Sequence, residues 1–239
     1  MNRIVGTTVA TLLLAFQTLA AQPETPGDQP AGGPTLTVRI YDYAGLSEAM
    51  LHRAAEKTRH VYRTAGIETL WMQCRVSLDQ PEKNPGCEAE PGPTVLQMKI
   101  LPEVMAKRFG LGEGVFGFAL PPREGGFGNV ASIFYDRVRG LAETSGTPAD
   151  VVLGHMLAHE AGHLLLGVSS HSAKGIMHAP WRGDDLQRAE MGGLKFTREQ
   201  AERMRRQVIA RSQSEIELAA VTVASAHSGS LAGLGSSAW

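Results

Sequence analysis

One segment restricts the fold of this chain more than any other. Residues 151–166 are apolar on nearly every side of a helical period, and Gly167 follows them directly. Thr147 before Pro148 predicts a capping residue followed by proline at the first helical position, with Asp150 in the first turn. A helix that is apolar all round has to be buried, so we expect the rest of the chain to pack around it.

Composition agrees with a folded domain that does not bind nucleic acid. Of the 239 residues, 43% are hydrophobic and 20% are charged, which is enough apolar side chain for a core. The 23 Lys and Arg side chains nearly balance the 24 Asp and Glu, whereas phosphate binding needs an excess of basic residues. The glycine-rich segment 110–128 lacks the spacing of a phosphate loop, so we expect it to form a mobile rim.

The remaining patterns predict an α+β domain over residues 36–215, followed by a disordered tail over 216–239. We expect strands at 36–41, 67–72, 94–101, 115–120 and 130–135. We expect further helices at 47–65, ended by Gly66, and from Thr197 to about Leu218, opened by a capping box between Thr197 and Gln200.

The amino-terminal region has the pattern of a secretory signal. Arg3 precedes an apolar run over residues 4–19, and small residues near position 21 offer a cleavage site, so 1–21 is predicted to be removed. The alternative is an uncleaved anchor, but the run is short for a hydrocarbon core of about 30 Å. Residues 22–35 are rich in Pro and Gly and predict a flexible linker. We therefore expect a secreted or periplasmic protein without membrane association after cleavage.

The predicted export of the protein bears on the state of its two cysteines. In an oxidising compartment Cys74 and Cys87 are expected to pair and close a polar, turn-rich loop. Such a cross-link stabilises a fold by about 3 kcal/mol in the chain-entropy model. The alternative is a pair of free thiols with one on a metal, although their spacing matches no zinc pattern.

The buried helix carries the residues that point to chemistry. His159 and His163 are four positions apart and share one helix face, a spacing that lets two imidazoles hold a zinc ion. Glu160 lies one step round the helix, where a carboxylate reaches a water molecule near the metal. Without a partner these three polar groups would carry a large desolvation penalty in an apolar helix. We therefore predict one catalytic zinc ion, with Glu160 as general base.

A tetrahedral site also needs a ligand from outside the helix. We favour His171, because Gly167 allows the chain to turn back toward the metal. His155 lies one turn earlier on the same face, so it would line up with the other two histidines rather than surround the ion. The remaining candidates stay open, and they are His178, Asp184, Asp185 and Glu190.

Residues 159–172, followed by Gly175-Ile176-Met177, resemble metzincin-type zinc peptidases over about 36–215. The resemblance implies a zincin fold with a mixed twisted sheet, an active-site helix, a Met-turn at Met177 and a C-terminal helix. The sequence departs from the family pattern in one respect. Gly167 and then His171 follow at intervals of four residues, where the family has three.

The resemblance also implies that a peptide substrate lies antiparallel to an edge strand, within 115–120 or 131–135. Phe116, Phe118 and Phe127 are candidates for its pockets or for the core, and Trp181 for the cleft wall or the core.

The expected function is that of a secreted, monomeric zinc peptidase acting on peptides or proteins. One alternative is a zinc-binding interaction protein of zincin fold without catalysis, which would have no use for Glu160. Another is a gluzincin-type hydrolase, in which Glu190 of a helix near 184–191 is the third ligand.

Overall fold

The structure is a computed structural model that describes residues 32–76, 84–122 and 126–232. The predicted signal segment 1–21 and most of the predicted linker lie outside these residues. No helix of the described ranges combines the length and the hydropathy needed to cross a bilayer.

A five-stranded mixed sheet forms one layer of the described fold. Its strands in chain order are β1 (Thr35–Asp42), β2 (Glu68–Cys74), β3 (Val95–Leu101), β4 (Gly117–Ala119) and β5 (Val130–Phe134). In space the order is β2-β1-β3-β5-β4, with parallel pairs except for β4, which runs antiparallel to β5 at one edge. The predicted mixed sheet and all five predicted strands are therefore present, although β4 is shorter than predicted.

The described chain also forms six α-helices and a short 3-10 helix at Pro85–Cys87. The helices are α1 (Glu48–Thr64), α2 (Glu103–Arg108), α3 (Tyr135–Ser145), α4 (Ala149–Leu166), α5 (Gly183–Glu190) and α6 (Arg198–Ala232). Two of them, α2 and α3, had no counterpart among the predicted helices. Neither has a side-chain cap, and each follows almost directly after a strand, so the usual signals for a helix start are missing.

The predicted central helix is confirmed as α4, in which every residue from Val151 to Leu166 is buried. Its start differs from the prediction. Pro148 occupies the N-cap position without a side-chain hydrogen bond, so Thr147 does not cap the helix. Asp150 in the first turn instead forms an ion pair with Arg53 of α1, at 3.6 Å.

Helices α1 and α4 cross at a point where the backbones are very close. The Thr58 hydroxyl of α1 donates to the carbonyl oxygen of Gly154 in α4 at 2.8 Å. A Cβ atom on Gly154 would lie 2.6 Å from the Ala54 carbonyl oxygen and 2.6 Å from the Lys57 Cβ. The crossing therefore requires glycine.

Cys74 at the end of β2 is bonded to Cys87 of the 3-10 helix, with Cα atoms 5.6 Å apart. The predicted disulfide is present, and the alternative of free thiols with one on a metal is wrong.

The carboxy-terminal helix begins as predicted and ends later. The Thr197 hydroxyl accepts from the Gln200 amide at 3.2 Å, and the Gln200 side chain accepts from the Thr197 amide at 2.9 Å, which completes the predicted capping box. However, α6 continues to Ala232, so the predicted helix end near Leu218 was too early. Residues rich in alanine favour this extension.

One buried cation fastens α6 to the rest of the fold. The Arg211 side chain has no exposed surface and donates to the carbonyl oxygens of Pro93 at 2.9 Å, Gly128 at 2.8 Å and Leu164 at 2.8 Å. Burial lowers the pKa of Arg211 to about 10. The guanidinium also lies 4.9 Å from the Phe127 ring centroid. Arg211 thus connects the end of α4 to two loops.

We expect Gly154→Ala to lower the free energy of unfolding by about 1–3 kcal/mol, because the new methyl group overlaps backbone and Cβ atoms of α1. Gly140→Ala is the matched control. Gly140 lies within α3 with no atom near its missing Cβ, so alanine should stabilise by about 0.5–1 kcal/mol. Urea unfolding of the three proteins measures both effects, and an unchanged midpoint for Gly154→Ala would contradict the tight crossing.

Candidate metal centre

Three imidazoles meet at the surface of α4. The Nε2 atoms of His159 and His163 are 3.0 Å apart, and the Nε2 atom of His171 is 3.2 Å from that of His163. His159 and His163 are buried, whereas His171 approaches from the loop after the helix. These three residues are the only group of three or more metal-binding side chains in the described ranges that converge closely enough to hold an ion.

The path of the loop explains how His171 reaches the pair despite the longer spacing. Gly167 ends α4 with φ +103°, a conformation that favours glycine. The Ser170 amide then donates to the Gly167 carbonyl oxygen at 3.2 Å, which closes a tight turn. The extra residues are therefore absorbed in this turn, and the chain returns toward the helix.

Hydrogen bonds on the far side of each ring decide where its proton lies. His159 Nδ1 is 2.7 Å from the Ile176 carbonyl oxygen, and His163 Nδ1 is 3.3 Å from that of Gly167. A carbonyl oxygen only accepts, so Nδ1 carries the proton in both rings and each neutral Nε2 keeps a bare lone pair. The Ser170 hydroxyl, 3.1 Å from His163 Nδ1, is a second partner on the same side of that ring. Burial is the main reason that the pKa of His159 falls to about 4, and burial also lowers the pKa of His163.

This arrangement fits a divalent cation. Two neutral lone pairs that face each other at 3.0 Å repel unless a cation lies between them. Nitrogens about 2.0–2.1 Å from a tetrahedral zinc ion lie about 3.3 Å from one another, close to the Nε2–Nε2 distances of 3.0 Å and 3.2 Å that join His163 to His159 and to His171. The three histidines are therefore able to hold a metal ion, and imidazole donors suit zinc among several transition metals.

Glu160 is buried beside the histidines without a hydrogen-bond partner among the described residues. Its Oε2 atom has no exposed surface and accepts no hydrogen bond. Burial alone raises the pKa of Glu160 to about 8. A Cβ atom on Gly117 of β4 would lie 2.7 Å from Glu160 Oε1 and 2.8 Å from its carboxyl carbon. The same Cβ atom would lie 2.7 Å from the Ser132 carbonyl oxygen of β5, so glycine at 117 leaves room for both this carboxyl group and the neighbouring strand.

The segment with Met177 forms a turn against α4. The His178 amide donates to the Gly175 carbonyl oxygen at 3.0 Å, and Met177 itself is completely buried. The Met177 sulfur lies against Gly162, where a Cβ atom would come within 2.8 Å of it. Because the preceding carbonyl oxygen, that of Ile176, bonds His159, this turn supports the ligand side of the helix from below.

A cleft of about 350 Å³ opens above the histidines and Glu160. Its walls come from β4 and the residues before it, from α4 and from residues 178–181. Phe116 and Phe118 line the cleft, whereas Phe127 lies outside it and packs on Arg211. Trp181 belongs both to the cleft wall and to the core, and its indole donates to the Ile176 carbonyl oxygen at 3.2 Å.

The other predicted third ligands lie elsewhere. His155 is buried, with Nδ1 2.8 Å from the Val151 carbonyl oxygen, and is not part of the cluster. His178 lines the cleft but bonds Asp185, at 3.2 Å. Asp184 and Glu190 are exposed at the two ends of α5. The structure thus brings His171, and not Glu190, to the helical pair, which removes the support for the gluzincin-type arrangement.

Two features of the site were not found by sequence reasoning. The sequence did not single out Gly117 as the residue that contacts Glu160, because the segment around it contains many glycines. His178 also pairs with Asp185, whereas the sequence suggests each of these residues only as a candidate metal ligand. The available signal for this pair was their order along the chain: His178 is followed by a turn that contains proline, and Asp185 then lies at the start of a helix.

Neither the comparison with protein families nor the search of curated sequences finds a match. Among solved structures, the chain is similar to the crystal structure of archaemetzincin from Methanopyrus kandleri, with a TM-score of 0.42 and 14% identity. The alignment covers 74% of this chain and 97% of the archaemetzincin chain.

We expect alanine in place of His159, His163 or His171 to weaken zinc binding by at least about 100-fold, because even the loss of an outer hydrogen bond to a ligand costs 10–100-fold. Competition with a chromophoric chelator measures the affinity.

His155→Gln and Glu190→Gln are the controls, since each changes a rival third ligand that lies outside the cluster. Both should bind zinc as the wild type does. A loss of affinity in Glu190→Gln, with His171→Ala unaffected, would contradict this ligand set.

Proposed function

We propose that this protein is a secreted zinc-dependent peptidase. In this proposal His159, His163 and His171 hold the metal, and Glu160 is the general base. The observation that carries the proposal is the convergence of three Nε2 lone pairs next to an unpartnered carboxyl group in an open cleft. A site that only retained zinc would have no need of that carboxyl group.

The chemistry divides between the metal and Glu160. Zinc bound by three imidazoles supplies an open coordination position, acidifies water and polarises a carbonyl group. Glu160 accepts a proton from the attacking water and later delivers it to the nitrogen of the departing amine. Its burial makes the carboxylate a stronger base than an exposed one, which suits this task.

The edge of the sheet supports a peptide as substrate. The Phe116 carbonyl oxygen accepts from the Phe134 amide at 2.9 Å, and the Leu120 amide donates to the Val130 carbonyl oxygen at 2.9 Å. In an antiparallel pair, every second residue bonds the neighbouring strand. Phe116 and Leu120 bond β5, so the N–H and C=O groups of Gly117 face away from β5, toward the outer edge of the described sheet. An extended peptide can pair with this edge and lie across the cleft.

Secretion is part of the proposal and has two supports. The disulfide between Cys74 and Cys87 is typical of an oxidising compartment. The pattern of residues 1–21 is that of a secretory signal.

We expect Glu160→Gln to keep its zinc and to lose at least about 1,000-fold in peptide cleavage, because the amide cannot take up the proton of water. Zinc content by mass spectrometry and cleavage of a quenched-fluorescence peptide library give the two readouts.

Equal cleavage by the wild type and Glu160→Gln would remove the catalytic proposal. Zinc bound by both proteins, with no cleavage by either across the library, would favour the zinc-binding interaction protein instead.

Gly117→Ala should lower cleavage by about 10–100-fold with zinc retained, since displacing a catalytic group by about 1 Å is enough for such a loss. Gly112→Ala is the matched control, because no atom lies near the missing Cβ of Gly112. If both variants cleave the library at the wild-type rate, the position of Glu160 against Gly117 has no part in catalysis.

A further inference from the structure

The cleft contains one ionisable side chain that the proposed mechanism does not use. Apart from the three histidines of the metal centre and Glu160, the ionisable residue on its wall is His178. The His178 side chain is 27% exposed, so it is accessible from the cleft.

The orientation of the His178 ring is fixed from behind. Nδ1 is 3.2 Å from Oδ2 of Asp185, whose side chain is only 3% exposed. The same carboxyl group accepts from the Arg182 amide at 3.0 Å and from the Arg188 guanidinium. Burial raises the pKa of Asp185, but these hydrogen bonds outweigh it and hold the pKa below its usual range. An ionised Asp185 only accepts, so Nδ1 of His178 donates to it, and Nε2 remains the ring nitrogen that can contact a ligand.

The backbone around His178 is tied to the metal centre. The Ile176 carbonyl oxygen, two residues earlier, bonds His159 at 2.7 Å and Trp181 at 3.2 Å. The His178 amide is itself bonded to Gly175. A side chain on such an anchored turn keeps its position relative to the histidine cluster, as a catalytic group must.

We propose that His178 is a catalytic residue that donates a hydrogen bond from Nε2 to the carbonyl oxygen of the scissile peptide bond as negative charge develops there. In this proposal His178 carries a proton on each ring nitrogen, and Asp185 is the positioning residue that accepts from Nδ1. The proton stays on Nε2, so Glu160 remains the group that moves the proton of water. This inference rests on the proposed peptidase function.

The kinetic test uses the peptide that the wild-type protein cleaves fastest in the quenched-fluorescence library. We expect His178→Ala to lower kcat about 100-fold with KM changed less than about twofold, because removing one such donor costs about 10²–10³ in kcat. His178→Gln keeps N–H donors and should recover part of the loss. Zinc content and Tm should match those of the wild type.

A double mutant separates positioning from a structural role of Asp185. We expect Asp185→Asn to lower kcat, and the double variant with His178→Ala to be no slower than His178→Ala alone. Asp184→Asn is the matched control. Asp184 is the exposed neighbour of Asp185 and takes no part in the pairing with His178, so this substitution should leave kcat unchanged. Losses that multiply in the double variant would show that Asp185 acts independently of His178.

A second readout does not depend on turnover. A phosphinic analogue of the same peptide carries a tetrahedral, negatively charged group in place of the scissile bond. Its Kd, measured by calorimetry on the zinc-loaded protein, should rise about 100-fold in His178→Ala and stay unchanged in Asp184→Asn.

The outcomes distinguish the two proposals. No cleavage by the wild type, or equal cleavage by Glu160→Gln, overturns the peptidase function and this inference with it. If Glu160→Gln is inactive but His178→Ala keeps its kcat, or changes only KM, the peptidase function stands and the role of His178 is overturned.

Discussion

Helix α4 is buried, so its polar side chains need interaction partners inside the protein, and the fold depends on supplying them. Helix α4 is apolar along most of its length, yet it holds His159, Glu160 and His163 in surroundings that lower the pKa of the imidazoles and raise that of the carboxyl group. Hydrogen bonds to the Nδ1 atoms satisfy one side of each ring and turn the lone pairs of the other side toward each other. A cation held at that point would compensate the cost of burying these groups.

The surrounding elements hold this arrangement in place. The turn at Ile176 accepts from His159, Gly167 lets the chain return with His171, and Gly117 leaves space for the carboxyl group of Glu160. The sheet contributes β4, the outermost strand among the described residues, to the wall of the same cleft. Each of these contacts comes from a different part of the chain, which is why a helix with two histidines becomes a site only in the folded protein.

Sequence reasoning succeeded where a pattern is local. The period of the apolar residues predicted α4 and the five strands, and the spacing of His159 and His163 placed two imidazoles on one face. It favoured His171 as the third ligand but left other candidates open, because the turn after Gly167 decides which side chain returns to the helix. Arg211 could not be predicted either, since its three acceptors lie 47 to 118 positions away along the chain. Tertiary contacts of this kind leave no periodic trace.

The coordination of the metal tests the central claim most directly. X-ray absorption at the zinc edge of the purified full-length protein should give three imidazole nitrogens at about 2.0–2.1 Å and one further light atom. Multiple scattering from imidazole rings identifies the nitrogens as histidine. A spectrum with fewer than three imidazoles, or with sulfur in the first coordination shell, would contradict the convergence of His159, His163 and His171 on one ion.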